Sequence, residues 1–513
     1  MNHMPNERAD ITGLSVTSLM DMRAELTPAK PFLINPETGE EISYSDCLDR
    51  MQAIAGLVRS HGLKPGDTVG YAMSNSTDAA LVILGIMYGG FLATAINLVA
   101  GKDTISYVLD HSQTRLVFAD KQGAGILSAA EMDDQVIVLD PSDMTPVSGQ
   151  ENAESTEPVE AGTDGLLMYT SGTTGRPKGV MLSHQSLLAG GKNAAEAHQL
   201  SGNDRAMCVL PLYHINGLCV TIMGPLVSGG SVVIPGRFSV STFWQTIAAQ
   251  ACSWFSVVPT QISYLLHDME NGKPVAAGCK HLRFGRSASA PLSPDVHEAF
   301  ENAFGIPVIE TMGLTETAAQ ILSNPMPPGT RKIGSPGIAY GNEVMIADTA
   351  QREMIRGTEG EVLVRGPNVM RGYLNNPDAT AEALTSDGWL RTGDLGRMDE
   401  QGYVYITGRL KELIIKGGEN IAPREIDDAL YSHSDVVEAA AFACPCRNYG
   451  QRIEAGVALR EGSSVTEQQL LDLCIDKLGK FKAPDHIHFL PELPKGPSGK
   501  IQRIKLAEIL DNN

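Results

Sequence analysis

The sequence predicts an α/β protein of more than one domain: a large N-terminal part of two parallel α/β layers plus a small β-barrel-like subdomain, then a small C-terminal α/β domain. Three observations carry that prediction. Between 46 and 139, helical apolar spacing alternates with the short apolar runs DTVGYAMS (67–74), FLATAIN (91–97) and TRLVFAD (114–120), which is layered α/β patterning. A second alternating block, 204–310, offers strands at AMCVLPL (206–212), SVVIP (231–235), WFSVVP (254–259), LRFGRS (282–287) and PVIET (307–311), with helices fitting between them as in a second parallel layer. From 334 to 407 the pattern changes to short strands and turns, GEVLVRG, GYLNNP, DGWLRTGD and DEQGYVYITG, as in a small twisted sheet or barrel.

Taken in order, the start MNHMPNERAD carries charge without an apolar core, so it is no signal peptide. The uncharged stretch 79–101 has about the length of a membrane span, but Gly89, Gly90 and Asn97 interrupt it and no second such stretch follows. A buried helix running into a buried strand explains it better. Residues 142–164 lose periodicity and fill with Glu, Ser, Thr, Pro and Gly, as a surface linker does, and the strand GLLMYT (165–170) follows. The charged segment GRLKELIIKGGEN begins at Gly408, and a compact α/β unit occupies the rest, so the boundary is placed near Lys411, giving 1–410 and 411–513.

A chain of 513 residues exceeds what one core usually serves and has room for a buried site. A formal net charge of −20 argues against nucleic acid as a partner, so any anionic ligand has to be met by local basic residues. The eight cysteines lack paired zinc spacing, with only Cys444 and Cys446 close together, as in a reduced, cytoplasmic protein.

The stretch YTSGTTGRPKG (169–179) holds the densest chemistry. Thr170, Ser171, Thr173 and Thr174 supply rotatable hydroxyls, Gly172, Gly175 and Gly179 let backbone N–H groups approach closely, and Arg176 and Lys178 add charge. Such a loop suits a polyphosphate, although it lacks the spacing of the common P-loop. Any four of these residues alone would read as a solvated surface loop.

Five further segments follow: PLYHINGL (211–218), ETMGLTET (310–317), DGWLRTGDLG (387–396), GRLKELIIKGGENIAPREID (408–427) and LPKGPSGKIQR (493–503). In this order, over most of the chain, the six resemble the adenylate-forming superfamily of acyl-CoA synthetases, luciferases and peptide-synthetase adenylation domains, and the acyl-CoA synthetases most of all. The blocks PGRFSVSTFW (235–244), LRFGRSASAPLS (282–293) and LSNPMPPG (322–329) are similar to the oxalate-CoA ligase-like branch.

The resemblance implies an enzyme that uses ATP, Mg²⁺ and CoA. A carboxylate is a poor electrophile, and attack on the α-phosphorus of ATP converts it to an acyl-adenylate with loss of pyrophosphate. CoA then takes the acyl group. By resemblance, Thr170, Ser171, Gly172, Thr173, Thr174 and Lys178 hold the phosphates, Thr315 touches phosphate, and Glu316 holds Mg²⁺ through hard carboxylate oxygen. Asp394 accepts the ribose hydroxyls and Arg409 contacts the nucleotide. Lys500 bridges carboxylate and α-phosphate in the transition state.

Lys411 is implied as the hinge about which the mobile C-terminal domain turns, withdrawing Lys500 and presenting Gly417 and Gly418 to the CoA arm. A tight turn would be equally content with those two glycines. His214 is implied at the mouth of the acyl or CoA tunnel, and Ser287, Ala288, Ser289, Ala290, Met312, Gly313 and Leu314 line the acyl pocket. Arg286 either reaches toward that pocket, favouring a polar or second carboxylate group, or points outward as a structural residue.

Met312 departs from the family pattern, which has an aromatic residue against adenine, and a thioether gives a less rigid cover. Pro497 and Ser498 replace a Thr-rich lead into Lys500. The implied partners are a small carboxylic acid, ATP and CoA, with no membrane span, in a monomer or homodimer. Competing readings are a ligase that passes the acyl group to an amine or a carrier-protein thiol, a nucleotide-binding protein without turnover, and a serine hydrolase. The last is weakest, because Gly285-Arg286-Ser287-Ala288-Ser289 is not Gly-x-Ser-x-Gly.

Overall fold

The structure, a computed structural model, describes residues 10–130, 136–141, 158–170, 176–270, 278–496 and 500–511. Two mixed sheets form the larger part. In the seven-stranded sheet the five strands Asp164–Thr170, Leu92–Ala95, Thr68–Ala72, Leu116–Ala119 and Ile137–Leu139 run parallel in that spatial order. Lys178–Ser183 and Gly372–Tyr373 close one edge antiparallel. In the nine-stranded sheet six strands run parallel, Val308–Leu314, Phe284–Ser287, Trp254–Val257, Arg205–Cys208, Ser231–Val233 and Pro31–Ile34, again with antiparallel strands at both ends. The two layers therefore exist as expected, but each has antiparallel edges. The short strands Pro31–Ile34 and Glu41–Ser43, which the sequence reading does not anticipate, extend the second sheet.

One core joins the inner faces of both sheets: Phe118, Met168 and Leu182 from the first share it with Val232, Trp254 and Ile309 from the second. Between them lie the helix His184–Ala197 and the π-helix Asn216–Met223, every residue of which is buried. Extra residues of this kind in a helix frequently mark functional sites. The uncharged run 79–101 becomes the helix Thr77–Tyr88, capped by the Ser76 side chain accepting from the Ala79 N–H, and the strand Leu92–Ala95. Gly89 is needed between them, because a Cβ there would stand 2.4 Å from the Phe91 ring. No helix among the described residues is long and apolar enough to cross a membrane.

The small subdomain is a four-stranded antiparallel sheet of Glu343–Ala347, Gly360–Arg365, Leu390–Met398 and Val404–Arg409. The C-terminal sheet starts at Ile414–Lys416 and continues through Glu419–Ile421, Val436–Cys446, Gly450–Leu459 and His486–Phe489. Its own core gathers Ile426, Leu430, Ile453 and Leu470. It meets the larger part through the Tyr264 hydroxyl, which donates to Glu438 Oε1 at 2.7 Å, and through Arg424 Nη1, which donates to the Ile406 carbonyl at 2.6 Å.

Candidate active site

Ser171, Gly172, Thr173 and Thr174 lie outside the described residues, but their flanks are defined. Thr170 ends its strand directly opposite Lys178, the first residue of the next, in an antiparallel pair. The Lys178 ammonium stands 4.9 Å from the centre of the Tyr373 ring, and the Tyr373 hydroxyl donates to Glu316 Oε1 at 2.9 Å. Lys178 and Glu316 thus share Tyr373 as a common support. Arg176 behaves differently: its guanidinium stacks over Tyr107 at 5.2 Å.

Glu316 owes its position to a sharp reversal. The strand Val308–Leu314 passes into the short 3₁₀ turn Thr315–Thr317 and returns as Ala319–Ser323. The Thr317 hydroxyl accepts from the Leu314 N–H at 3.0 Å, and the Glu316 carbonyl accepts from the Met370 N–H at 2.8 Å. Gly313 is required here by close approach, since a Cβ would lie 1.7 Å from the Ala319 carbonyl oxygen. Met312 and Leu314 are half-buried against a cluster that includes Ile321, Ile346 and Val364.

Beyond this turn the chain brings together segments remote in sequence. Arg286, on Phe284–Ser287, is only 2 % exposed. Its Nη1 donates to Asn216 Oδ1 at 2.6 Å and to Ser256 Oγ at 3.0 Å, and its Nε to Gln320 Oε1 at 3.4 Å. Asn216 in turn donates to Ser289 Oγ at 3.1 Å. Arg286 is therefore buried rather than outward-pointing. Ser287 is buried too, its hydroxyl without a partner among the described residues, and as the next strand residue it projects to the opposite face. Ala288 is buried and Ala290 half-buried, while Ser289 adopts φ +73°, in the left-handed region.

His214, two residues before Asn216, borders a cavity of about 60 Å³ with Tyr213, Tyr169, Pro177 and Asn97. Burial lowers its pKa to about 4, and Nε2 has no hydrogen-bond partner among the described residues, so the ring is neutral at physiological pH.

The other charged centre lies at the joint between the two parts. Asp394 and Arg409 are register partners on neighbouring strands, with Arg409 Nε donating to Asp394 Oδ1 at 2.5 Å. Burial raises the Asp394 pKa, opposed by Arg409 and Lys500. Glu412 receives Lys500 Nζ at 3.7 Å and Arg503 Nε at 3.5 Å. The atoms packed around the Lys500 ammonium depress its pKa, Glu412 counters this and Arg409 reinforces it, although 40 % of the side chain meets solvent. Lys411 is exposed in the turn that joins the small subdomain to the C-terminal sheet. Gly417 (φ +62°) and Gly418 (φ +88°) form the two-residue turn between Lys416 and Glu419, a geometry that demands glycine-like residues whatever else they do.

Among the described residues no group of three or more His, Cys, Asp or Glu side chains forms a metal cluster. A lone half-buried carboxylate beside a lysine fits Mg²⁺ held mainly by substrate phosphates, since that ion keeps most of its oxygen ligands from phosphate and water.

Residues 20–374 match the profile of the AMP-binding enzyme family, and 425–500 match the AMP-binding enzyme C-terminal domain. The chain belongs to the AMP-binding enzymes. A sulfoacetate–CoA ligase of Cupriavidus necator is 46 % identical over 499 residues, covering 96 % of this chain and 97 % of that one. An oxalate–CoA ligase of Arabidopsis thaliana is 36 % identical over 484 residues, 90 % and 92 % of the two chains. ATP-bound MatB from Rhodopseudomonas palustris superimposes with TM-score 0.86 at 29 % identity, over 97 % of this chain and 99 % of that one; its apo form gives 0.74. The AMP-binding enzyme described here is an acid–thiol ligase: it activates a carboxylic acid as acyl-AMP with release of pyrophosphate and then transfers the acyl group to CoA. The readings as a nucleotide binder without turnover and as a serine hydrolase are set aside.

Tyr373, Glu412, Asn216 and Gln320 are site neighbours that sequence reasoning misses. Tyr373 lies in GYLNNP, where a turn explains it; Glu412 follows Lys411 in a run of charge; Gln320 has no motif at all. Only Asn216, within PLYHINGL, carries a signal that could have drawn it in.

Proposed function

We propose that this ligase activates a short acid bearing a second acidic group, in a site shared between a 1–410 domain and a 411–513 domain that turns about Lys411. The single observation that carries the substrate reading is the buried, inward-facing Arg286 beside Asn216 and Ser289. It is supported by the likeness to ligases named for sulfoacetate and oxalate, acids with two anionic groups.

In this reading Thr170, Lys178 and the 171–174 hydroxyl and glycine residues embrace the triphosphate, with Thr315 beside them. Glu316, steadied by Tyr373, holds Mg²⁺, which neutralises phosphate charge when bound. Met312 and Gly313 border the adenine. Asp394 holds the ribose, an arrangement favoured by the ion pair that fixes its carboxylate against Arg409. Lys500 leaves Glu412 to reach the reacting carboxylate and α-phosphate, stabilising charge that grows in the transition state. His214, neutral and half-buried, closes the tunnel where the acid and the CoA thiol meet, and Ala288, Ser289, Ala290 and Leu314 wall the acyl pocket, with Ser287 turned to the other face of its strand from Arg286.

The better superposition on ATP-bound than on apo MatB supports an adenylating arrangement of the two domains. For thioester formation the C-terminal domain turns at Lys411, taking Lys500 away and bringing the Gly417–Gly418 turn to the CoA arm. None of the eight cysteines forms a disulfide, which agrees with a reducing, cytoplasmic compartment.

The test is product analysis with ATP, Mg²⁺, CoA and a panel of short mono- and diacids. Acyl-CoA with AMP and pyrophosphate should appear chiefly from sulfoacetate, oxalate and similar diacids. Turnover confined to monoacids would overturn the substrate reading.

A further inference from the structure

The guanidinium of Arg286 is a buried charge without an ionic partner among the described residues. The acceptors it meets are neutral, Asn216, Ser256 and Gln320, and its Nη2 donates to none of the described residues. Leaving a cation unpaired in the interior costs several kcal/mol unless something compensates, and buried charges are ordinarily paired. Burial lowers its pKa only to about 9, so the group keeps its proton at neutral pH.

The three segments around it are those that the proposed reading puts at the acid site. Asn216 lies two residues from His214; Ser289, bonded to Asn216, follows Arg286 in the turn; and Gln320 pairs in register with Gly313, three residues from Glu316. The other cations of the site are engaged elsewhere: Lys178 and Arg176 on aromatic faces by the phosphate hairpin, Arg409 and Lys500 at the domain joint.

We propose that Arg286, oriented by Asn216, is the specificity-determining residue that pairs with the second anionic group of the acid, a carboxylate or a sulfonate, while the first carboxylate faces the α-phosphate. This rests on the diacid reading given above and names the residue responsible for it. A monoacid in the same pocket leaves the guanidinium unpaired and is rejected for that reason, as expected where a site's buried polar group loses its partner.

The experiment measures kcat/KM for acid-dependent pyrophosphate release with two isosteric pairs: sulfoacetate against (methylsulfonyl)acetate, and oxalate against oxamate. In the unaltered enzyme the dianion is preferred. Arg286→Gln should lower the dianion-to-neutral ratio on the order of 10²–10³-fold, the range seen when one partner of a buried charge pair is removed. Asn216→Asp, which places a carboxylate against the guanidinium without changing size, should lower the same ratio and serves if Arg286→Gln does not fold. An unchanged ratio in a folded variant, with both acids slowed alike, overturns the role of Arg286 and leaves the diacid reading standing. Turnover of the neutral acids alone by the unaltered enzyme overturns both.

Discussion

At the joint between the two domains Arg409, Lys500 and Arg503 each face a carboxylate, whereas the buried guanidinium of Arg286 meets only neutral acceptors among the described residues. Arg409 is tied to Asp394, Lys500 and Arg503 converge on Glu412, and Arg503 also holds Asp427. Arg286 is held by Asn216, Ser256 and Gln320. The difference matches the role proposed for each centre. In the proposed reading Lys500 enters and leaves the site with a moving domain, and Glu412 would give it a resting contact that can be exchanged for substrate oxygen. A residue that selects a substrate gains discrimination by having no internal counter-charge, because only the right ligand then completes it.

The comparison predicts its largest effect at Lys500. Lys500→Ala should slow acyl-adenylate formation on the order of 10²–10³-fold, the scale of losing one preorganised electrostatic contact in a transition state. Transfer to CoA from supplied acyl-AMP should be little affected. Measuring the two half-reactions separately checks this, and equal slowing of both would break the idea that the lysine serves one of them only.

A smaller effect is expected from Glu412→Gln. Glu412 raises the Lys500 pKa against the burial that lowers it, so its neutral replacement lets that pKa fall further. Lys500 acts as the cation, present below its pKa and lost above it. The alkaline limb of the adenylation pH–rate profile should therefore move to lower pH, with a loss that grows as pH rises above neutrality. A limb that stays in place would show that Glu412 does not govern the lysine.

Much of this architecture is legible in the sequence. The strands of both layers announce themselves because apolar residues buried on two faces leave little else to read: Leu116–Ala119 and Trp254–Val257 are buried throughout. The run 79–101 was legible as helix then strand because two glycines interrupt it. The candidate site was legible where a motif is local, as for the hairpin flanks Thr170 and Lys178, or Asp394 and Arg409, which are separated in sequence but joined by strand register. It was not legible where side chains meet only after folding. Nothing in 320 or 373 tells that Gln320 will meet Arg286 or that Tyr373 will bridge Lys178 and Glu316. The edge strand Pro31–Ile34 escaped for a different reason: four residues between polar turns are too short for periodicity to show.

The least effect, and the finest test of how the domain joint differs from the acid pocket, is expected at the contact that holds the domains together. Tyr264 belongs to the large domain and donates to Glu438 at 2.7 Å; Lys495, at 2.7 Å from the same carboxylate, lies five positions before Lys500. Burial raises the Tyr264 pKa to about 12, so the hydroxyl keeps the proton it donates. Tyr264→Phe removes that bond without altering either site. Losing one hydrogen bond of this kind costs about 1 kcal/mol, roughly fivefold in the occupancy of the docked arrangement. Adenylation should fall by up to that factor, CoA transfer should be unchanged or slightly faster, and the dianion-to-neutral ratio set at Arg286 should not move at all. A change in that ratio would mean that acid selection and domain docking are coupled, and the two centres would then have to be treated as one.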